Sequence, residues 1–217
     1  MNHRSTSTPA EYSDGPTGRR EDPADRDYRT QRFPTPFGDI DVTINDHAIV
    51  AAHYIMHPGT TDPDVTGPDV TDSAATSDMS EAQRRLFTQI GEELDEYFSG
   101  TGKAFTLPLD VEDDSTEFTK SVREEMAQIS PGDVLTYGEL AEAAGRPRAA
   151  RAVGSVCRTN PIQLFIPCHR VVATGGSLGG YMGGARGLVL KQQLLDREGV
   201  PFTVNGKVDF QELGRRQ

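Results

Sequence analysis

Residues 166–172 of this chain read Ile-Pro-Cys-His-Arg-Val-Val, placing a thiol, an imidazole and a guanidinium side by side between short apolar runs. A cysteine attacks as its thiolate, and a base with positive charge nearby lowers the cost of forming that anion. In an extended segment successive side chains point to opposite faces, so Cys168 and His169 would communicate only through a water. Spacing alone leaves an inert buried thiol as the alternative. The other cysteine is Cys157, and two cysteines are too few for a disulfide scaffold. No CxxC spacing occurs, so no metal site is expected, and no cofactor.

The net charge of -11 argues against a nucleic-acid partner until its distribution is considered. The acids crowd the first 115 residues. Between 145 and 197 stand Arg146, Arg148, Arg151, Arg158, Arg170, Arg186, Lys191 and Arg197 against the single acid Asp196. Arginine suits bidentate contacts to phosphate and stacking on bases, although a merely solvated basic face gives the same count. No apolar run is long enough to span a membrane, and the polar start has no apolar core of a secretory signal. A cytoplasmic protein without a membrane partner is expected.

The elements that must position these residues follow from periodicity. Residues 1–32 are too polar to bury a core and read as a disordered tail. Alternation at Ile40, Val42 and Ile44, and again from Ile49 to Ile55, predicts a hairpin turning at Asn45-Asp46. Residues 58–79 are an acidic loop. Ser80 with Gln83 forms a capping box, and Leu86, Phe87, Ile90, Leu94, Tyr97 and Phe98 recur at helical spacing up to Gly100. Residues 104–109 read as a short edge strand. A stripe of Phe118, Val122, Met126 and Ile129 predicts a helix ended by Pro131-Gly132. Thr136 then caps residues 137–144, and Pro147 suits the first turn of a third helix through Arg158. Helix, short turn, helix is the spacing of a helix-turn-helix, which many αα-corners share.

The run IPCHRVV resembles the active-site signature of the O6-alkylguanine-DNA alkyltransferases, the methylated-DNA–protein-cysteine methyltransferases. LPLD at 107–110, TEF at 116–118, PGDVLTYGELA at 131–141, AARAVGSVCRTNP at 149–161 and GGYMGG at 179–184 agree with that family in order and approximate spacing. The resemblance covers roughly residues 33–199. It implies an α+β protein: a small ribonuclease-H-like α/β N-terminal domain over 33–110, a mostly helical winged-helix domain over 115–200, and a C-terminal extension over 201–217. The implied partner is double-stranded DNA carrying O6-alkylguanine, met by a monomer.

The resemblance also implies roles. Cys168 would accept the alkyl group of O6-alkylguanine, and of O4-alkylthymine, in a single displacement. His169 would act as base through a water, Glu198 would orient the imidazole, and Asn160 would fix the turn holding Cys168. Arg151 would fill the gap left by the extruded nucleotide, and Tyr137 would press on its 3′ phosphate. Tyr181 would lie on the base, with backbone groups near Val171 and Met182 reading its edge. Arg158 and Arg170 would contact DNA. Two departures bear on the pocket: Met182 replaces a small residue, and ARGLVL after Gly184 reads as a lengthened segment before the final helix. A lesion-binding protein without transfer is the rival reading, and such relatives lack the acceptor cysteine.

Overall fold

A computed structural model describes residues 27–55, 79–100, 104–111 and 115–214. Residues 1–26 of the tail expected over 1–32, and most of the 58–79 loop, lie outside these residues; from Arg29 the expected tail is instead a strand.

The first half begins with a three-stranded antiparallel sheet in the order β1-β2-β3, formed by β1 (Arg29–Phe33), β2 (Asp39–Ile44) and β3 (Ile49–Ile55). The hairpin matches the expectation. Strand β1 does not, because the polar run RTQRF lacks an apolar face and is held by its partners instead. Arg29 to Phe33 pair with Ile44 to Ile40, Thr30 meets Thr43 at 2.8 Å, and Arg32 forks onto Asp41 at 2.7 and 2.8 Å. Helix α1 (Glu81–Ser99) carries the anticipated capping box of Ser80 and Gln83 and lays Leu86, Phe87, Ile90, Leu94 and Tyr97 into the core. The strand expected at 104–109 reduces to a bridge between Leu109 and Ile49, with Ile49 N–H donating to Pro108 O and Asp110 N–H to Ile49 O, each at 2.9 Å. Pro108 has no N–H to extend the ladder.

The second half is mostly helical: α2 (Glu117–Ala127), α3 (Tyr137–Ala143), α4 (Ala150–Arg158) and α5 (Ala185–Arg197). Two short parallel strands, β4 (Leu135–Thr136) and β5 (Val171–Val172), join the residues before α3 to those after the Cys-His-Arg run. Three details differ from the sequence reading. Ile129 lies beyond α2 but is still buried. Helix α4 starts at Ala150, with Pro147 outside it. Residues 185–190 are the first turns of α5, so no lengthened connection precedes that helix.

One hydrophobic cluster runs through both halves, from Phe33 and Ile90 to Val153, Ile166 and Leu194. A smaller one unites Val134, Val172 and Leu195 with Val200, Val208 and Phe210, and Phe202 and Leu213 pack against it. The C-terminal segment is therefore part of the folded body rather than an appendage. Val208 N–H also donates to Gly176 O at 2.9 Å, fastening the segment to the loop after β5. Phe210→Ala should lower the unfolding free energy by about 3 kcal/mol in urea titrations. A loss below about 0.5 kcal/mol would show that the segment contributes no core.

Candidate active site

The turn carrying Cys168 is fixed from two sides. Asn160, buried just past α4, donates from Nδ2 to Ile166 O at 2.8 Å and to Cys168 Sγ at 3.2 Å, while its Oδ1 accepts from Ile162 N–H at 3.2 Å. Strand β3 runs along the other side. Ala52 N–H donates to Pro161 O at 2.9 Å, Gln163 N–H donates to Ala52 O at 2.8 Å, and Tyr54 N–H reaches Gln163 Oε1 at 3.2 Å. Cys168–Arg170 form one turn of 3-10 helix, not the extended run expected from sequence. Cys168 N–H bonds back to Ile166 O at 2.8 Å and Arg170 N–H to Pro167 O at 2.9 Å, which closes the chain too tightly for a strand.

His169 is fully buried, and its Nε2 lies 2.9 Å from Glu198 Oε1, at the end of α5. The Glu198 side chain is 1% exposed. Burial alone would raise its carboxyl, but His169 and Arg170 outweigh burial and hold it well below the usual carboxylate range. A carboxylate only accepts, so Nε2 carries the imidazole proton and Nδ1 presents a lone pair. Nδ1 is buried with no hydrogen-bond partner among the described residues. Burial, partly offset by Glu198, pushes the His169 pKa below its ordinary value, so the ring is neutral at neutral pH. The pair is an imidazole ready to take a proton at Nδ1, with a fixed negative charge behind it to stabilise the product.

Arg170 corrects the sequence reading. It is 3% exposed, donates to both Glu198 oxygens at 2.7 to 3.1 Å, and sends Nη1 to Ile129 O at 2.5 Å. A guanidinium so buried faces the interior rather than a phosphate outside; it neutralises the buried carboxylate.

Cys168 is 5% exposed, and burial raises its thiol pKa against the opposing pull of Asn160 and Lys191. At rest it is a thiol, so reaction requires its proton to leave as the bond forms. Lys191 is fully buried on α5, donating to Val171 O at 2.6 Å and Leu178 O at 2.5 Å. It ties the start of β5 to the loop that follows. Burial pushes its pKa down to about 8.

That loop brings Tyr181 into the interior beside Cys168, with its hydroxyl buried and unpartnered among the described residues. Helix α5 abuts it so closely that a Cβ at Gly187 would stand 1.9 Å from Tyr181 O. Met182 follows with a left-handed φ of 46° and packs half-buried against the core. Tyr137 opens α3, half-buried, with its hydroxyl against the loop; a Cβ at Gly179 would lie 2.8 Å from Tyr137 Oη. Burial pushes its phenol up to about 12. Arg151 and Arg158 are exposed on α4, as are Arg146 and Arg148 in the turn before it. Arg146 lies over the Phe118 ring at 4.9 Å. The structure thus gathers Cys168, His169, Glu198, Asn160 and Tyr181 around one buried point and sets Tyr137, Arg151 and Arg158 on the face outside it.

Sequence reasoning missed Tyr97, whose hydroxyl donates to Glu198 Oε1 at 2.6 Å. Its place in an apolar helical stripe concealed the polar end. Lys191 was counted as surface charge, although it stands where the α5 periodicity calls for an apolar residue.

Comparison with known proteins places these features in company. Residues 29–111 match the family model described as 6-O-methylguanine DNA methyltransferase, ribonuclease-like domain, and residues 117–200 match its DNA binding domain. A methylated-DNA–protein-cysteine methyltransferase of Methanosarcina acetivorans is 43% identical over 114 residues, 52% of this chain and 70% of the relative. One from Cricetulus griseus is 40% identical over 115 residues, covering 50% of this chain and 53% of the relative. Among solved structures, Mycobacterium tuberculosis OGT in complex with DNA superposes with a TM-score of 0.59 at 29% identity, over 79% of this chain and 91% of the other.

The neutral, buried imidazole makes stability depend on pH. An unfolded histidine titrates near about 6.5, and the folded His169 below that. The unfolded state therefore binds the extra proton first, and the stability contributed by the neutral ring is full above about 6.5 and lost as pH falls through the folded value. The stability advantage of wild type over His169→Gln in urea titrations should shrink between pH 7.5 and 5. A difference that stays constant over that range would contradict a neutral buried ring.

Proposed function

The chain belongs to the methylated-DNA–protein-cysteine methyltransferase family, a ribonuclease-like half followed by a DNA-binding winged-helix half, and from that premise we propose how its own residues carry out direct reversal of O6-alkylguanine in DNA. The observation that carries the reading is the contact between Asn160 Nδ2 and Cys168 Sγ beside the His169–Glu198 pair. It presents one sulfur to the site, with a base behind it and a donor to steady its developing charge.

In this account the α3–α4 face lies on double-stranded DNA. Arg151 enters the stack in place of the everted nucleotide, Tyr137 presses on the 3′ phosphate, and Arg158 contacts the backbone. The small residues Ala150, Ala152, Gly154 and Ser155 let α4 approach the duplex closely. The base enters against Tyr181, with Val171 O and the backbone at Met182 at its edge. Sγ attacks the alkyl carbon in line, the S–C bond forms as the C–O6 bond breaks, and the thiol proton passes through a water to His169 Nδ1. Tyr181 donates a hydrogen bond to the departing guanine as it gains charge, an interaction that strengthens in the transition state. Guanine remains in the DNA as its anion and takes up a proton at N1 from solvent, equal in number to the one the thiol gave to His169, so that the base is restored.

The product is a thioether without a leaving group, so each molecule acts once. O4-alkylthymine presents the same kind of alkyl carbon and is included in the substrate class. The protein works as a monomer in the cytoplasm. No helix among the described residues is long and apolar enough to cross a membrane. The two functional units are those expected over 33–110 and 115–200, with the C-terminal segment packed onto the second.

Incubation with increasing amounts of O6-methylguanine duplex should saturate at about one repaired lesion per protein, with one methyl added to the Cys168 peptide by mass spectrometry. Cys168→Ala should repair none. Many repaired lesions per molecule, or tight binding with no mass gain, would overturn this reading in favour of turnover or of a lesion-binding protein.

A further inference from the structure

Glu198 Oε1 accepts from three residues, two on one turn and the third from the other half of the chain. His169 Nε2 stands at 2.9 Å and Arg170 Nη2 at 2.7 Å, both from the Cys-His-Arg turn, whereas Tyr97 Oη at 2.6 Å comes from α1 in the ribonuclease-like half. The Tyr97 ring is 3% exposed and held by aromatic neighbours. Phe98 meets it edge-on at 4.9 Å and Phe105 at 5.1 Å, and Phe105 in turn packs on Phe165 at 4.7 Å, three residues before Cys168. A ring gripped in this way offers its hydroxyl in one direction. Burial and the neighbouring Glu198 push the phenol well above its ordinary pKa, so it stays protonated and remains a donor.

We propose that Tyr97 is a positioning residue of alkyl transfer, acting through its hydrogen bond to Glu198 on the imidazole that receives the Cys168 proton. This rests on the reading of Cys168 as the acceptor. The physical basis is competition for one oxygen. A short bond from the phenol draws charge from Oε1 and leaves less for His169 Nε2–H, which keeps the ring neutral and Nδ1 open. Removing the hydroxyl concentrates charge toward the imidazole and favours imidazolium, the form that cannot take the thiol proton. The other groups around the pair are Arg170 and Cys168 on the turn, Lys191 on α5, Tyr54 on β3 and Tyr181 on the loop. The cations Arg170 and Lys191 oppose imidazolium, and none of these groups changes when the Tyr97 hydroxyl is removed. The ribonuclease-like half thereby enters the chemistry through one hydrogen bond to Glu198.

The test is the pH profile of single-turnover methyl transfer, from pH 5 to 8.5, by the full chain on O6-methylguanine duplex. Tyr97→Phe should move the acid limb upward, giving transfer about threefold slower than wild type on that limb and rates that converge above pH 8. Phe87→Leu weakens the packing of the same helix at Phe33, away from the Tyr97 ring, and should lower thermal stability with an unmoved limb. Incorporating 3-fluorotyrosine at position 97, a stronger donor of nearly the same shape, should move the limb downward and serves if Tyr97→Phe fails to fold. An unmoved limb in both position-97 variants, or the same upward shift in Phe87→Leu, would overturn the proposal. Failure of wild type to methylate Cys168 would instead overturn the reading on which it rests.

Discussion

A carboxylate taken out of water costs several kcal/mol unless its lone pairs and charge are met, and Glu198 is the point where this protein meets that constraint. Four donor atoms converge on Oε1, and the Arg170 guanidinium spans both oxygens. The charge is satisfied only if the end of α5, the Cys-His-Arg turn and the middle of the chain at α1 all arrive together. Proton affinity at His169, the direction of Arg170 and the closeness of the two halves follow from that single convergence. An arginine in a reactive signature invites a reading as a substrate contact. Here it balances a buried charge so that its neighbour, the imidazole, need not do so by protonation.

The two halves are consequently hard to separate in physical terms. Their apolar residues form one cluster, and β3 pairs with residues 161–163, the segment that leads from Asn160 to the reactive turn. A thiol on a short 3-10 turn has little rigidity of its own. It gains it from Asn160 on one side and the sheet edge on the other. The loop holding Tyr181 is secured in the same manner, by Lys191 across its base and by the C-terminal segment at Gly176.

The features legible in the sequence were those set by local rules. Ser80 and Thr136 cap helices as hydroxyls before apolar periodicity should, and the hairpin of β2 and β3 follows its alternation. Cys168 with His169 stood out because their types do chemistry. What escaped was set by distant partners. Arg29–Phe33 has no apolar face, and becomes a strand only because β2 supplies the matching threonine and aspartate. Phe210 gave no periodic signal, since its partners Val134 and Val172 come from elsewhere in the chain. Tyr97 and Lys191 read as a core aromatic and a surface cation. Their polar atoms matter because of carbonyls and a carboxylate that only the tertiary fold brings near.

The central claim is that the negative charge of Glu198 powers proton acceptance at His169. Replacing that charge by a neutral amide of the same shape isolates it. The measurement is the single-turnover rate of methyl transfer by Glu198→Gln at pH 7.5, made where the variant retains native circular dichroism, alongside its affinity for the methylated duplex. The account predicts a rate lower by about a hundredfold with affinity little changed. A rate within about threefold of wild type would contradict it.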